Sequence, residues 1–362
     1  MVKWNNAIAI ITGGGDGMGL EIALSLAATG CDLALVDSSP TKLEAAQAKC
    51  QAVHKDRIIS THVCDVSNKT KTRDLVRAVS FHHKCANRTL LLFNNAGIGG
   101  GTSIITSSEA DFDRVMDIDW GGVYNCTRSF LPLMMAAPAA HVINTSSICG
   151  FYAQIGYLKP NVSYSAAKFA VRGFTLGLLA DFKLNAPHIK ASCVMPGWIG
   201  TGLIDSSQQI FDNSMKAIIA GRRSASVRLR ARIAELKAER DPTTMVLQNE
   251  NLLEILGDVD LTQFKDKELM QMLTFLGPGF RSNAPTSAKK AAEIILRGVA
   301  ADEWNILVGE DAHSLAKLMR EDEVGLYDDG TIVPDFFNYE TWKMNRERGK
   351  VGSGGEKIKS KM

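Results

Sequence analysis

Short apolar, β-rich runs alternate with longer helical stretches through much of this 362-residue chain, and that rhythm restricts the possible folds more than any other feature. The runs are Ala7–Thr12, Cys31–Asp37, Ile58–Asp65, Leu90–Asn94, Val142–Ser146 and Ile189–Met195, with candidate helices near 19–29, 41–53, 68–86, 109–136 and 163–184 between them. Alternation of this kind predicts an α/β protein with a doubly wound parallel sheet and helices on both faces. After Gly200 the alternation stops. Residues 201–285 are helical in tendency and charged, and read as an insertion that forms a lid over the open end of the sheet. Thr286–Ala301 then reads as a helix and Asn305–Val308 as a seventh strand. The expected organisation is one catalytic domain over 1–310, including that lid, and an extension over 311–362 whose stretch Val351–Lys359 reads as flexible.

The first run leads directly into Thr12-Gly-Gly-Gly-Asp-Gly-Met-Gly19 and then into a helix. Glycines at 13, 17 and 19 let the backbone turn tightly and approach a pyrophosphate at the helix N-terminus, with Thr12 and Met18 in the same turn. A glycine-rich turn alone is weak evidence, but here it opens a βαβ unit, the context that gives it meaning. It predicts a Rossmann-type dinucleotide site. Asp37 ends the second run, 18 residues beyond Gly19 (37 minus 19), where a carboxylate accepts the ribose hydroxyls of an adenosine. A 2′-phosphate would meet like charge there, no Arg or Lys immediately follows, and Asp16 adds a second negative charge unless it serves as a helix N-cap. NAD is therefore expected over NADP.

In Asn-Val-Ser-Tyr-Ser-Ala-Ala-Lys, Tyr164 and Lys168 stand four residues apart, one above the other on a helix face. A phenol titrates near 10, and a cation beside its oxygen favours the phenolate. The pair is a candidate general acid/base, although the same spacing also occurs as a solvated surface pair.

Taken in order, Thr12-x-x-x-Gly17-x-Gly19, Asn94-Asn-Ala-Gly97, Asn144-Thr-Ser-Ser147, Tyr164-x-x-x-Lys168 and Pro196-Gly197-x-x-x-Thr201 resemble the classical short-chain dehydrogenase/reductase family over about residues 5–200 and, more loosely, 286–310. The resemblance implies that Asn94, Ala96 and Gly97 lie against the cofactor and that Asp65 and Val66 hold the adenine. It implies that Pro196, Gly197 and Thr201 flank the nicotinamide. Ser147 would bind the substrate oxygen, Tyr164 transfer the proton, and Lys168 hold the nicotinamide ribose and lower the pKa of the tyrosine. The activity implied is hydride transfer between a secondary alcohol or ketone and NAD(H), by an enzyme that self-associates as a homodimer or homotetramer through the helices near 109–136 and 163–184.

The chain departs from the family pattern in three places. The family's catalytic asparagine falls at Asp119, in Met116-Asp-Ile-Asp-Trp-Gly-Gly-Val-Tyr124, where an acid adds charge near Lys168; Asn125 is an alternative. Asp119 is assigned a relay role, with a plain salt-bridged helix residue as the bland reading. Ser147 and Tyr164 are 17 positions apart (164 minus 147), and the extra Gly156–Pro160 predicts a loop beside which Phe151, Tyr152 and Tyr157 either line a pocket or simply pack. The lid is long. Its Leu203, Ile204, Ile210, Phe211 and Met215 suggest an apolar substrate, and its basic stretch Arg222–Arg240, interleaved with Glu235 and Glu239, reads as a solvated face over an apolar contact, with an anionic substrate or a membrane surface as the alternative.

Two rivals stand beside this reading, the first raised by Asp119 and the second by chain length alone. One is a catalytically silent NAD-binding sensor or scaffold of the same fold, for which Asp119 is the argument. The other is an epimerase or dehydratase of the longer family branch, disfavoured because Gly13 and Gly17 enclose three residues rather than two. Composition narrows the rest. The formal net charge of +2 gives no reason to expect nucleic acid as a partner. Seven scattered cysteines without a C-x-x-C pair argue for a reducing compartment and against a zinc site. The adjacent His82 and His83 read as surface residues pointing apart. No apolar run approaches the length of a membrane helix. The expectation is a cytoplasmic protein without a metal; the terminal Ser360-Lys361-Met362 resembles a peroxisomal address and keeps that compartment as the alternative.

Overall fold

The computed structural model describes residues 4, 7–100, 104, 107–153, 161–203, 281 and 284–321. Seven parallel strands form the central sheet in the order β3-β2-β1-β4-β5-β6-β9. They are β1 (Ala7–Thr12), β2 (Asp32–Asp37), β3 (Ile59–Val63), β4 (Thr89–Asn94), β5 (Ala140–Thr145), β6 (Ile189–Pro196) and β9 (Asn305–Val308). A two-residue pair, β7 (Ile199–Gly200) with β8 (Thr286–Ser287), stands apart. The sequence direction reverses between β1 and β4, so the carboxyl ends of those two strands flank the switch point where open α/β sheets bind ligands.

Strands β1, β2 and β4 are mostly apolar because both of their faces are covered. Alternate residues divide between two cores. Ala9 and Ile11 of β1, Leu33 and Leu35 of β2, and Leu91 and Phe93 of β4 pack under α1 (Gly17–Ala28), α2 (Pro40–Val53) and α7 (Ala288–Ala300). Ile8, Ile10, Ala34, Val36, Leu90 and Leu92 face the other way, against α3 (Lys69–His83), α5 (Gly122–Ala136) and α6 (Val162–Asn185). A third apolar cluster sits beyond the carboxyl ends of β5 and β6. It joins Ile148, Phe151, Tyr152, Tyr164 and Met195 to Ala312 and Leu315 of α8 (Glu310–Glu321).

The expected alternation and the doubly wound sheet are present, and two particulars, the helix over 109–136 and His83, differ. The helix expected over 109–136 is two helices, α4 (Glu109–Met116) and α5, joined by a π-helical turn at Asp117–Gly121. His83 is buried rather than on the surface: its Nε2 lies 2.7 Å from Ser60 Oγ, which also meets His62 Nε2 at 2.8 Å, while His82 is exposed. The start of the expected extension, residues 311–321, is helical and buries Ala312 and Leu315. Phe151 and Tyr152 pack in the third cluster, Tyr152 with no exposed surface. Most of the proposed lid, including Ile204, Ile210, Phe211, Met215 and Arg222–Arg240, lies outside the described residues, as do Tyr157, Gly156–Pro160 and the tail through Met362.

Candidate active site

The glycine turn ties the first strand to the fourth. Thr12 Oγ1 donates to Phe93 O (3.2 Å) and accepts from the backbone N–H of Asn95 (2.9 Å) and Ala96 (3.0 Å). This locks the Asn94–Gly97 segment beside the turn. Gly13 and Gly17 adopt φ of +64° and +54°, where an L side chain is strained. Gly19 is required for another reason: a Cβ there would stand 2.1 Å from Gly13 O.

Asp16 is the N-cap of α1, accepting from Gly17 N at 2.8 Å, and its carboxylate also pairs with Lys42 (3.3 Å) and Arg281 (3.1 Å). Burial pushes its pKa up, but the Gly17 hydrogen bond and the two cations outweigh that and hold it below the usual range. The negative charge that Asp16 was expected to present against a 2′-phosphate is therefore compensated. Asp37 is held by the N–H groups of Gly15 (3.2 Å) and Ser39 (3.0 Å), one on each oxygen. A carboxylate has about four acceptor positions, so two hydrogen bonds leave it able to accept ribose hydroxyls.

Two asparagines serve the frame. The Asn94 amide is buried and donates to Thr127 Oγ1 (2.9 Å) and Asn144 Oδ1 (2.8 Å), and Asn144 continues to Thr175 Oγ1 (3.0 Å). The Asn94 side chain thus points into the protein. Asn125, the alternative to Asp119, donates to the carbonyls of Val66 (3.0 Å) and Ser67 (3.1 Å) and fixes the loop after β3. Within that loop Asp65 accepts from Ser67 N and Oγ and stays exposed, while Val66 is buried against Gly122.

Beyond the carboxyl ends of β4 and β5 four predicted residues meet. Ser147 caps a one-turn 3-10 helix (Ile148–Gly150), accepting from Cys149 N at 3.2 Å, and its hydroxyl lies near enough to Tyr164 to favour the phenolate. Gly150 allows this turn to lie on α6, since a Cβ there would meet Ser146 Oγ at 2.3 Å and Lys168 O at 2.8 Å. Lys168 Nζ donates to Thr145 O (3.2 Å), lies 5.3 Å from the centre of the Tyr164 ring, and pairs with Asp119 Oδ2 at 3.3 Å. Asp119 projects from the π turn, has no exposed surface, and accepts from Ile98 N at 2.8 Å through Oδ1. The 3.3 Å contact with Lys168 is an ion pair rather than an aligned hydrogen bond.

The electrostatics differ from the expectation that Lys168 draws Tyr164 toward phenolate. Burial pushes the phenol well above its ordinary value, the Asp119 carboxylate and, once ionised, the Cys149 thiol push the same way, and only the nearby Ser147 hydroxyl opposes them. Asp119 itself is raised, because burial outweighs Lys168 and the Ile98 N–H. The ammonium of Lys168 pairs with the Asp119 carboxylate.

Pro196, Gly197 and Thr201 lie on the segment leaving β6. Gly197 N donates to Val308 O (2.9 Å), and Thr201 approaches the glycine turn, where a Cβ on Gly17 would meet its side chain at 3.2 Å. The sequence reading missed Asp311, whose carboxylate accepts from Trp198 N in this segment at 2.5 Å. No local motif marks it, since its partner lies 113 positions away.

A parallel sheet in this order, with a glycine turn at its switch point, defines a Rossmann-type α/β protein. Residues 7–210 match the short chain dehydrogenase family, and the chain belongs to that family of oxidoreductases. It is 34% identical over 207 residues to a protein called SadH from Mycobacterium tuberculosis, a stretch covering 56% of this chain and 70% of the relative. To levodione reductase of Leifsonia aquatica it is 32% identical over 211 residues, 58% of this chain and 76% of that one. The fold is shared with a short-chain dehydrogenase/reductase from Burkholderia phymatum solved in complex with NAD. That likeness has a TM-score of 0.61 and 23% identity, covering 89% of this chain and 96% of the other. Among the described residues no helix is long and apolar enough to cross a membrane, and no group of three or more His, Cys, Asp or Glu could hold a metal.

Proposed function

We propose that this protein is an NAD-dependent oxidoreductase that transfers a hydride between a secondary alcohol or ketone and NAD(H), with Tyr164 as the general acid/base. The observation that carries the reading is the meeting of Ser147, Tyr164, Lys168 and Asp119 beside the segment Asn94–Gly97. The residues present fit the cofactor. The turn Thr12–Gly19 has positive-φ glycines at the start of α1, and Asp37 stands at the end of β2 with acceptor capacity to spare. Thr12, Gly13, Gly17, Met18 and Gly19 would hold the pyrophosphate, Asp37 the adenosine ribose, and Asp65 and Val66 the adenine. Ala96, Gly97, Lys168, Pro196, Gly197 and Thr201 would hold the nicotinamide half, and Asn94 would set the height of its own segment from within. A bound NAD(H) supplies the redox chemistry.

The chain's own residues position the substrate and move the proton. Ser147 and Tyr164 hold the substrate oxygen, and Tyr164 Oη gives its proton to a carbonyl oxygen during reduction and takes one during oxidation. A neutral, buried phenol suits the reductive direction, and a relative named as the reductase of a dione supports a ketone substrate. Ile148 and Phe151, with partly buried Leu203 nearby, surround Tyr164 with apolar surface, which favours a largely apolar substrate. Tyr124, Phe169 and Leu176 of α5 and α6 are each 41% exposed, in keeping with a homodimer or homotetramer that covers them.

The test is a panel of secondary alcohols and ketones with NAD⁺ or NADH, followed by NADH absorbance, on the protein and on Tyr164→Phe. The expected result is turnover that falls about 10³-fold in the variant, with NAD affinity within about twofold of the parent. NAD binding without turnover on any member of the panel would favour the silent binder, a reading to which the charge of Asp119 lends its only support.

A further inference from the structure

Asp311 lies about a hundred positions beyond the family match, which ends at residue 210. Its carboxylate is 2% exposed and stands in the first turn of α8, where the helix dipole favours an anion. Oδ2 accepts the Trp198 N–H; burial pushes the carboxyl's pKa up, against the lowering effect of the Trp198 and Ala312 N–H groups. Two glycines make room for it. A Cβ on Gly197 would stand 2.1 Å from Asp311 Oδ2, and one on Gly309, at φ +104°, would stand 2.3 Å from Oδ1. The same Gly197 donates its own N–H to Val308 O at 2.9 Å. The segment leaving β6 is thus held by β9 at Gly197, by Asp311 at Trp198 and by β8 at Ile199–Gly200, and it passes close to the glycine turn at Thr201. Of these restraints, only Asp311 is a side chain buried for the purpose. Its helix also sends Ala312 and Leu315 into the apolar cluster around Tyr164.

We propose that Asp311 is a positioning residue: it sets the height of the Pro196–Trp198 segment over the nicotinamide half of the cofactor site and fastens that segment to α8. The inference rests on the NAD-binding reading above. It predicts that the two halves of the dinucleotide respond differently to its loss. The adenosine half is held by the glycine turn and Asp37, which Asp311 does not touch, whereas the nicotinamide half depends on the clamped segment.

The experiment is calorimetric titration of the full chain with NAD⁺ and, separately, with ADP-ribose, for the parent, Asp311→Ala and Asp311→Asn. In Asp311→Ala the loss of the buried hydrogen bond to Trp198 should raise the Kd for NAD⁺ about tenfold or more. The Kd for ADP-ribose should stay within about twofold. Asp311→Asn keeps an acceptor oxygen and should recover most of the NAD⁺ affinity. Unchanged NAD⁺ affinity in Asp311→Ala, or equal weakening of both ligands in both variants, overturns the positioning role. If Asp311→Ala does not fold, the asparagine variant decides alone: it must bind ADP-ribose like the parent and lose no more than a few-fold in NAD⁺ affinity. A parent that binds neither ligand overturns the NAD-binding reading instead, so the two failures are distinguishable.

Discussion

At the scale of single residues, the most informative contact is the 3.3 Å pairing of Lys168 with Asp119. Tyr164 and Lys168 were legible in the sequence because four positions on a helix fix their relative placement. The pKa of the phenol was not, because it depends on burial and on a carboxylate 45 positions away (164 minus 119) that arrives on a different element. With Asp119 in place, the phenol is raised by burial first and by that negative charge in addition. Oxidation of an alcohol needs the tyrosinate, so its rate should climb with pH until the raised pKa is passed. Replacing Asp119 by Asn removes one of the raising causes and leaves Lys168 uncompensated beside the ring. The acid limb of kcat/KM for alcohol oxidation should therefore move to lower pH in Asp119→Asn, as read from pH profiles of the two proteins. A limb that stays in place or moves to higher pH would mean that Asp119 does not act on the phenol.

At the scale of elements, the strand–turn–helix opening and the π turn show how local sequence and packing divide the work. The glycine turn was legible because positive φ and close approach are demands on the backbone that only glycine meets at no cost. Gly19 provides the sharpest test. A methyl group 2.1 Å from Gly13 O forces the turn to open, so Gly19→Ala should lose about 2 kcal/mol or more of stability in urea titration. Its NAD affinity should fall more than tenfold, as measured by calorimetry. The π turn at Asp117–Gly121 was not legible as such: the sequence reads as one helix, and the extra residue in the turn is recognisable only when Asp119 is seen reaching Ile98 N and Lys168. Asn125, six positions on, was a reasonable alternative by residue type, yet its amide is committed to the carbonyls of Val66 and Ser67.

At the scale of the whole molecule, three histidines are buried in the neutral form within the frame. His62 and His83 converge on Ser60, and His141 Nε2 lies 2.8 Å from Ser192 Oγ. Burial, as the largest cause, lowers each to about 4. Their unfolded values lie near 6.5, so between those limits the unfolded chain binds more protons than the folded one. The sign is then fixed: stability is fully present above about pH 6.5 and is lost as pH falls toward 4. By pH 5 each histidine should cost on the order of 2 kcal/mol. Thermal unfolding at pH 7.5 and pH 5 should show a marked drop in Tm, and His83→Gln should lessen that drop. Equal Tm at the two pH values would show that these histidines are protonated without penalty.

Taken by itself, the sequence determined the order of strands and helices, the glycine turn between β1 and α1, and the placement of Tyr164 and Lys168 on one helix face. Each is encoded locally, in hydrophobic period, in glycine geometry or in helical spacing. Tertiary structure alone decided which groups those residues face. It paired Lys168 with Asp119, turned Asn94 and Asn125 into the frame, buried His83, compensated Asp16 with Lys42 and Arg281, and brought Asp311 under the segment after β6. The reason is physical. A side chain's charge and role are set by desolvation and by its neighbours, and in this sheet those neighbours come from strands and helices far apart in the chain.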